Sequence, residues 1–178
     1  VNALETLGET VHTVSRPEDI VQAEKLVFPG VGNFGSMMRI LHEKRFVPPL
    51  IEYLRDDRPF LGICLELQAL FEKSEEAPDV PGLGIFPGVV RRFRIDLSVP
   101  HIGWNGIRRH QPSRLFQGLH GDEKFYFVHS YAVHPTDPSC VLTTTDYGEE
   151  FVSAVQRGRI TATQFHPEKS GEAGLSVL

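Results

Sequence analysis

Short apolar runs and helical spacings alternate through the first half of the chain. Residues 25–30, KLVFPG, predict a buried strand that ends in a turn. In SMMRILHEKRF (36–46), Met37, Ile40 and Leu41 fall at helical spacing. Pro48 and Pro49 break or restart that helix, and LIEYLRDD (50–57) continues it. PFLGIC (59–64) predicts a second buried strand and LELQALFEK (65–73) a second helix. Strand–helix–strand–helix implies a parallel sheet with helices packed on it and right-handed crossovers. The acidic, proline-bearing EKSEEAPDVPG (72–82) predicts a loop, too short to link domains. Beyond it the rhythm changes. Residues 84–93, 124–133, 140–148, 150–158 and 160–167 are rich in β-branched and aromatic positions and predict strands, with bends at Gly148 and at 157–159. SGEAGLSVL starts a final helix. The expectation is one α/β domain over residues 1–178, with a mixed, mostly parallel central sheet flanked by helices.

Composition changes this picture little. A chain of 178 residues with 40% apolar content can bury one sizeable core. No apolar run is long enough to span a membrane. A net charge of −5 gives no nucleic-acid footprint. Arg91, Arg92 and Arg94, and Arg108, Arg109 and His110, form clusters too short to outweigh solvated loops or strand faces. The two cysteines, Cys64 and Cys140, form no C-x-x-C pair, so no metal or cofactor is expected, and a reduced, cytoplasmic compartment is the simpler setting. VNALETLG reads as the middle of an amphipathic helix, with Val1, Leu4 and Leu7 on one face. Residues upstream of Val1 are therefore expected to be missing.

The candidate chemistry begins at Cys64. In GICLE, Gly62 and Cys64 fit the nucleophile-elbow pattern G-x-[nucleophile]-x-G, and Glu66 stands where the pattern has glycine. Such a turn lifts the side chain off the sheet, aims the first helical amides at an oxyanion, and favours the thiolate. Glu66 would either crowd the preceding strand and raise the thiol pKa by its charge, or point to solvent. The bland alternative is a cysteine that fills the core. Cys140, in DPSCVLTTT, has no elbow and reads as structural.

A cysteine nucleophile needs a base and an orienting group. Of eight histidines, His12, His42, His110, His120 and His134 read as surface residues, and His101 and His129 lie in apolar settings. His166 precedes Pro167, which confines it to extended geometry, and Glu168 would then project to the same side. Together with Cys64 they predict a triad. FPGVGNFGS (28–36) lacks the Lys-Ser/Thr ending of a phosphate loop, so its glycines read as a second oxyanion donor facing Cys64.

The motifs PGVG, GICLELQ, VHSY and HPEKS, in this order, resemble the class I (triad) glutamine amidotransferases. FPGVGNFG, PHIGWN, FYFVHSY, YGEEFVSAV and ATQFHPEKSGEAGLSVL are similar to the glutaminase part of imidazole glycerol phosphate synthase, most like the fused fungal and plant form. The likeness covers nearly the whole chain and implies that the family's first strand lies upstream of Val1. It implies that Cys64 attacks the carboxamide of glutamine, His166 relays protons and Glu168 orients it. Backbone amides of Leu65 and of the Gly30-Val31-Gly32 loop would hold the oxyanion, with a peptide flip near Val31. Gln68, His129, Ser130 and Tyr131 would position glutamine, and Trp104, Asn105 and Tyr126 would face a cyclase barrel. The family uses no cofactor or metal here; a plant source would place the chain in a plastid. Other class I amidotransferases, a docking module impaired by Glu66, and a free-standing cysteine hydrolase remain alternatives.

Overall fold

A computed structural model describes residues 1–178. Its helices are α1 (Asn2–Thr6), α2 (Pro17–Gln22), α3 (Phe34–Glu43), α4 (Val47–Arg55), α5 (Leu65–Ala69) and α6 (Gly171–Val177). Its strands are β1 (Leu26–Gly30), β2 (Phe60–Cys64), β3 (Lys73–Ser74), β4 (Gly88–Arg92), β5 (His101–Gly106), β6 (Arg108–Arg109), β7 (Lys124–His129), β8 (Tyr131–Pro135), β9 (Val141–Asp146), β10 (Glu150–Arg157) and β11 (Ile160–Thr163).

Nine strands form one mixed sheet, ordered β1-β2-β11-β10-β8-β4-β3, with β9 on β10 and β6 on β9. Strands β1, β2 and β11 are parallel, antiparallel pairs extend the sheet beyond β11, and a parallel β4–β3 pair ends it. Strand β2 is central and covered on both faces, which is why FLGIC is a continuous apolar run rather than an alternating one. The registers fix the site: Gly30 sits opposite Cys64 and Thr163 opposite Ile63. The ends of three neighbouring parallel strands therefore meet at one edge. A separate ribbon, β5–β7, pairs Trp104 with Tyr126 and His101 with His129.

Local chemistry sets several helix starts. Asn33 caps α3, accepting from the Ser36 amide at 3.0 Å. Asp19 accepts from the amides of Ser15 and Arg16, each at 2.9 Å, and Pro17 opens α2. Pro48 and Pro49 lie in the first turn of α4, where a proline's missing donor is harmless.

The elements depart from the sequence expectations at definite places. The buried face of α3 carries Phe34, Met38 and Leu41, while Ile40 is exposed. α1 buries no residue, and Val1 and Leu7 are exposed. The helix expected over 65–73 stops at Ala69. The carbonyls of Ala69, Leu70 and Phe71 accept instead from the amides of Leu83, Ile85, Phe86 and Gly84, so the chain turns out of the helix into a packed loop. The loop over 72–82 contributes the two-residue β3, parallel to β4. The run 124–133 is two strands, broken at Ser130, and β5 and α2 lie outside the elements expected.

Two apolar clusters hold this frame. One of 24 buried residues joins α3, α4 and α5 to β1 and β2. A smaller aromatic one packs Phe93, Phe116, Phe125, Phe127, Phe151 and Phe165 beneath the ribbon and next to His166. Phe125 and Phe165 lie 4.4 Å apart between ring centroids.

Candidate active site

Cys64 ends β2 and caps α5 with φ 59° and ψ −102°. A non-glycine residue in this region is strained, and such strain collects where a side chain must be presented. Gly62 makes the turn fit. A Cβ added there would meet Ala162 Cβ and Glu66 Cβ, both at 3.2 Å. The thiol is buried, and it donates to the Val128 carbonyl at 3.9 Å. Burial pushes the Cys64 thiol up to about 12; the amides of Gln164 and Leu65 oppose this, and the charge of Glu168 adds to it. The expectation that a helix N-terminus would favour the thiolate is thus outweighed in the resting site. Helix α5 has five residues, and desolvation of the sulfur dominates.

His166 lies three residues beyond the end of β11. Its φ of −98° and ψ of 96° are extended, as the following proline requires. Glu168 reaches the ring by another route than the expected alternation. Pro167–Lys169 form a turn of 3-10 helix, and this turn brings Glu168 Oε1 to 2.7 Å from His166 Nδ1. Burial acts against the charge of Glu168, yet the hydrogen bond and charge of His166 hold its carboxyl below the usual carboxylate range. Nδ1 donates to Glu168, which leaves Nε2 as the basic nitrogen; Nε2 is buried with no hydrogen-bond partner. The backbone is clamped as well. The His166 amide donates to the Tyr126 carbonyl at 2.9 Å, and Ser170 Oγ bridges the His166 carbonyl to the Tyr126 amide.

The remaining expected residues lie on the end of β1 and its loop, on α5, on the β7–β8 bend and on the ribbon. Gly30 is buried opposite Cys64, Val31 is 78% exposed, and Gly32 has φ 112°. Leu65 and Gln68 are buried on α5, and Gln68 Nε2 donates to the Tyr131 carbonyl at 3.2 Å. His129 is buried and donates from Nδ1 to the same carbonyl at 2.8 Å, while Ser130 and Tyr131 are half-buried. Trp104 is 55% exposed and meets Tyr126 edge-on at 6.1 Å. Asn105 turns away from that face and donates to the Asp146 carbonyl at 2.8 Å.

Glu66 corrects one expectation. Its side chain does not reach solvent. It is 1% exposed, and neither carboxylate oxygen has a hydrogen-bond partner. It fills the space beneath β1, where a Cβ added to Gly30 would lie 2.5 Å from Oε1. Burial raises its pKa well above the ordinary value. It packs under Gly30, and its charge adds to the rise of the Cys64 thiol behind burial and Glu168, as the sequence suggested.

Two participants escaped the sequence reading. Gln164 is fully buried and donates from Nε2 to Cys64 Sγ at 3.5 Å. Its signal was a lone amide in the otherwise small and apolar stretch TATQF. Ser170, the clamp, was visible only as the last letter of HPEKS.

The chain matches known proteins along nearly its whole length. The family model described as "Glutamine amidotransferase class-I" matches residues 1–177. The chain is 48% identical over 181 residues to "Imidazole glycerol phosphate synthase hisHF, chloroplastic" of Arabidopsis thaliana, covering 99% of this chain and 30% of that protein. It is 45% identical to "Imidazole glycerol phosphate synthase subunit HisH 1" of Methanococcus maripaludis, covering 99% of this chain and 88% of that subunit. A solved glutamine amidotransferase superposes with a TM-score of 0.76 at 20% identity, over 98% of this chain and 86% of its own, which speaks to the fold.

Proposed function

The chain belongs to the class-I glutamine amidotransferases, and on that premise we propose that residues 1–178 form a glutaminase unit that feeds ammonia to a cyclase in imidazole glycerol phosphate formation. The observation that carries this reading is the meeting of two adjacent parallel strand ends. One presents Cys64 at positive φ; the other leads to a His166–Glu168 pair at 2.7 Å.

Glutamine enters beside the thiol. His166 Nε2 takes the thiol proton and the sulfur attacks the carboxamide carbon. Amides of Leu65 and of the Gly30-Val31-Gly32 loop stabilise the tetrahedral oxyanion. His166 returns the proton to the departing nitrogen, which leaves as ammonia, and water cleaves the thioester to glutamate. Glu168 stabilises the imidazolium in both halves. Gln68, His129, Ser130 and Tyr131 line the place for the substrate's amino-acid end. Ammonia in bulk water becomes ammonium, which is not a nucleophile, so it must pass to an acceptor docked at the site. The ribbon face of exposed Ile102 and Trp104 with half-buried Tyr126 suits such a partner, because the Tyr126 carbonyl holds the His166 amide. The plant relative is much longer than this chain, consistent with a cyclase barrel that is fused in some proteins and separate in others.

The test is to treat the protein, with a cyclase barrel present, with a diazoketone analogue of glutamine. A mass adduct on Cys64, absent in Cys64→Ser, together with glutamine-dependent ammonia release, is expected. No adduct on Cys64 overturns the reading. Trp104→Ala should weaken barrel binding by about tenfold or more in a titration. A second reading, a docking module with impaired chemistry, draws on Glu66 alone; an unlabelled Cys64 in a protein that still binds the barrel would favour it.

A further inference from the structure

A chain of hydrogen bonds between buried side chains runs from Cys64 to the ribbon. Gln164 Nε2 donates to the sulfur at 3.5 Å, and Gln164 Oε1 accepts from Gln68 Nε2 at 3.1 Å. Gln68 Nε2 also donates to the Tyr131 carbonyl, which accepts from His129 Nδ1 at 2.8 Å. His129 Nε2 meets His101 Nδ1 at 3.3 Å. His101 is stacked on Tyr147 at 3.9 Å and on Phe127 at 5.0 Å in the ribbon.

The direction of every bond follows from one fixed acceptor. The Tyr131 carbonyl can only accept, so Gln68 turns its nitrogen and His129 its Nδ1–H toward it. Gln68 then needs an acceptor on Gln164, which must present its oxygen there and its nitrogen to the sulfur. His129, neutral because burial lowers its pKa to about 3, keeps Nε2 as an acceptor, so His101 donates from Nδ1. Burial likewise keeps His101 neutral, with a pKa lowered to about 4. The Gln164 amide donates to the Ser153 carbonyl at 2.8 Å, which fixes the residue on β10. A carboxamide free to flip would present oxygen to the sulfur about as readily as nitrogen; this one is held nitrogen-first.

We propose that Gln164 is a positioning residue for Cys64, whose amide N–H is held on the sulfur by the Gln68–Tyr131–His129–His101 chain and stabilises the attacking thiolate. This deepens the glutaminase reading and rests on it for its consequence in turnover. The route begins in the ribbon that carries Trp104, so a partner that shifts His101 would reach the sulfur through four hydrogen-bonding groups without touching it.

The test is the rate at which iodoacetamide alkylates Cys64 in the full-length protein at about pH 8, because only the thiolate reacts. It is read by intact mass, with Cys64→Ser as the blank. Gln164→Met fills the space without a donor, and its rate should fall about tenfold. Gln164→Glu, nearly the same shape, should slow it further by placing an oxygen at the sulfur, and it carries the test if the methionine variant does not fold. His101→Phe should slow it by a smaller amount. Unchanged rates in folded Gln164 variants overturn the proposal, and an unchanged rate in His101→Phe overturns the relay beyond Gln68. Slowed alkylation in a protein that hydrolyses no glutamine would sink the glutaminase reading and leave the role of Gln164 standing.

Discussion

Beneath Cys64, Glu66 is buried with both oxygens unpartnered; beside it, Gln164 is buried with both ends of its amide engaged, and Gln68 is buried with its nitrogen shared between two acceptors. Both sides take polar groups out of water, and the cost of doing so without partners is a few kcal/mol. The partnered side can afford rigidity and a defined direction of every donor. The unpartnered side stores a cost directly under the strand end that supplies Gly30. The difference shows where this site is settled and where it is poised to change.

The largest expected effect tests whether both sides serve one dyad. Glu168→Gln keeps the shape but replaces the acceptor that fixes His166 Nδ1–H, so the ring loses the tautomer that leaves Nε2 basic. With a cyclase barrel present, kcat for glutamine-dependent ammonia release should fall on the order of 10²–10⁴ fold. A fall of less than tenfold would mean that Glu168 does not orient the base, and the site would need another assignment.

Next comes the unpartnered side. Glu66→Gly restores the elbow pattern and frees the space under Gly30, where a Cβ would now lie 2.5 Å from Oε1. The loop that follows Gly30 could then settle against Cys64. Glutaminase turnover should rise roughly tenfold or more, within what a misplacement of about 1 Å costs. If the rate stays flat or drops, Glu66 is a working part of the floor and the contrast between the two sides fails.

These two sides were unequally legible in the sequence. Cys64, His166 and Glu168 could be found because their signals are local: an apolar strand before a helical pattern, and a histidine held extended by Pro167. Pairing Cys64 with His166 came from the base that a thiol nucleophile needs; the parallel β2–β11 register that brings their strand ends together was not legible, because the strand–helix rhythm stops before β11. Glu66 as an anomaly was visible, but its burial was not, since that depends on how α5 lies over β1. Gln164 was missed because its partners, Gln68 and Cys64, stand 96 and 100 positions away. The end of α5 at Ala69 was hidden for a similar reason: the amides that claim its last carbonyls come from residues 83–86. Glu168 was placed correctly for a wrong local reason, a turn of 3-10 helix having replaced extended chain.

The two sides also titrate in opposite directions. Unfolded, Glu66 ionises near 4.5; folded, burial holds its pKa well above that, so the native state keeps a proton that the unfolded chain releases. Its contribution is intact below that pH and is lost as pH rises toward the folded value, with a slope of up to about 1.4 kcal/mol per pH unit. Glu66→Gln does not titrate, so urea unfolding midpoints between pH 5 and 7.5 should fall more steeply for the natural chain than for this variant. Equal slopes would mean that Glu66 ionises in the folded protein with a partner or water.

The partnered side gives the smaller, acid limb. His101 and His129 ionise near 6.5 when unfolded and only at about 4 and about 3 when folded, because burial disfavours their charged forms. As pH falls below 6.5, the unfolded chain takes up protons that the native state refuses, and stability declines toward the folded values. His101 is buried on the ribbon face opposite Ile102 and Trp104, and its share of the slope should be under about 1.4 kcal/mol per pH unit. His101→Phe keeps the aromatic stack on Tyr147 and removes that share. Urea midpoints measured from pH 6.5 to 4.5 should therefore decline less steeply in the variant, although the loss of the donor to His129 lowers its stability at pH 7. A parallel decline would assign the acid limb to His129 alone, and would mean that the ring of His101 takes up a proton in the folded protein as readily as in the unfolded chain.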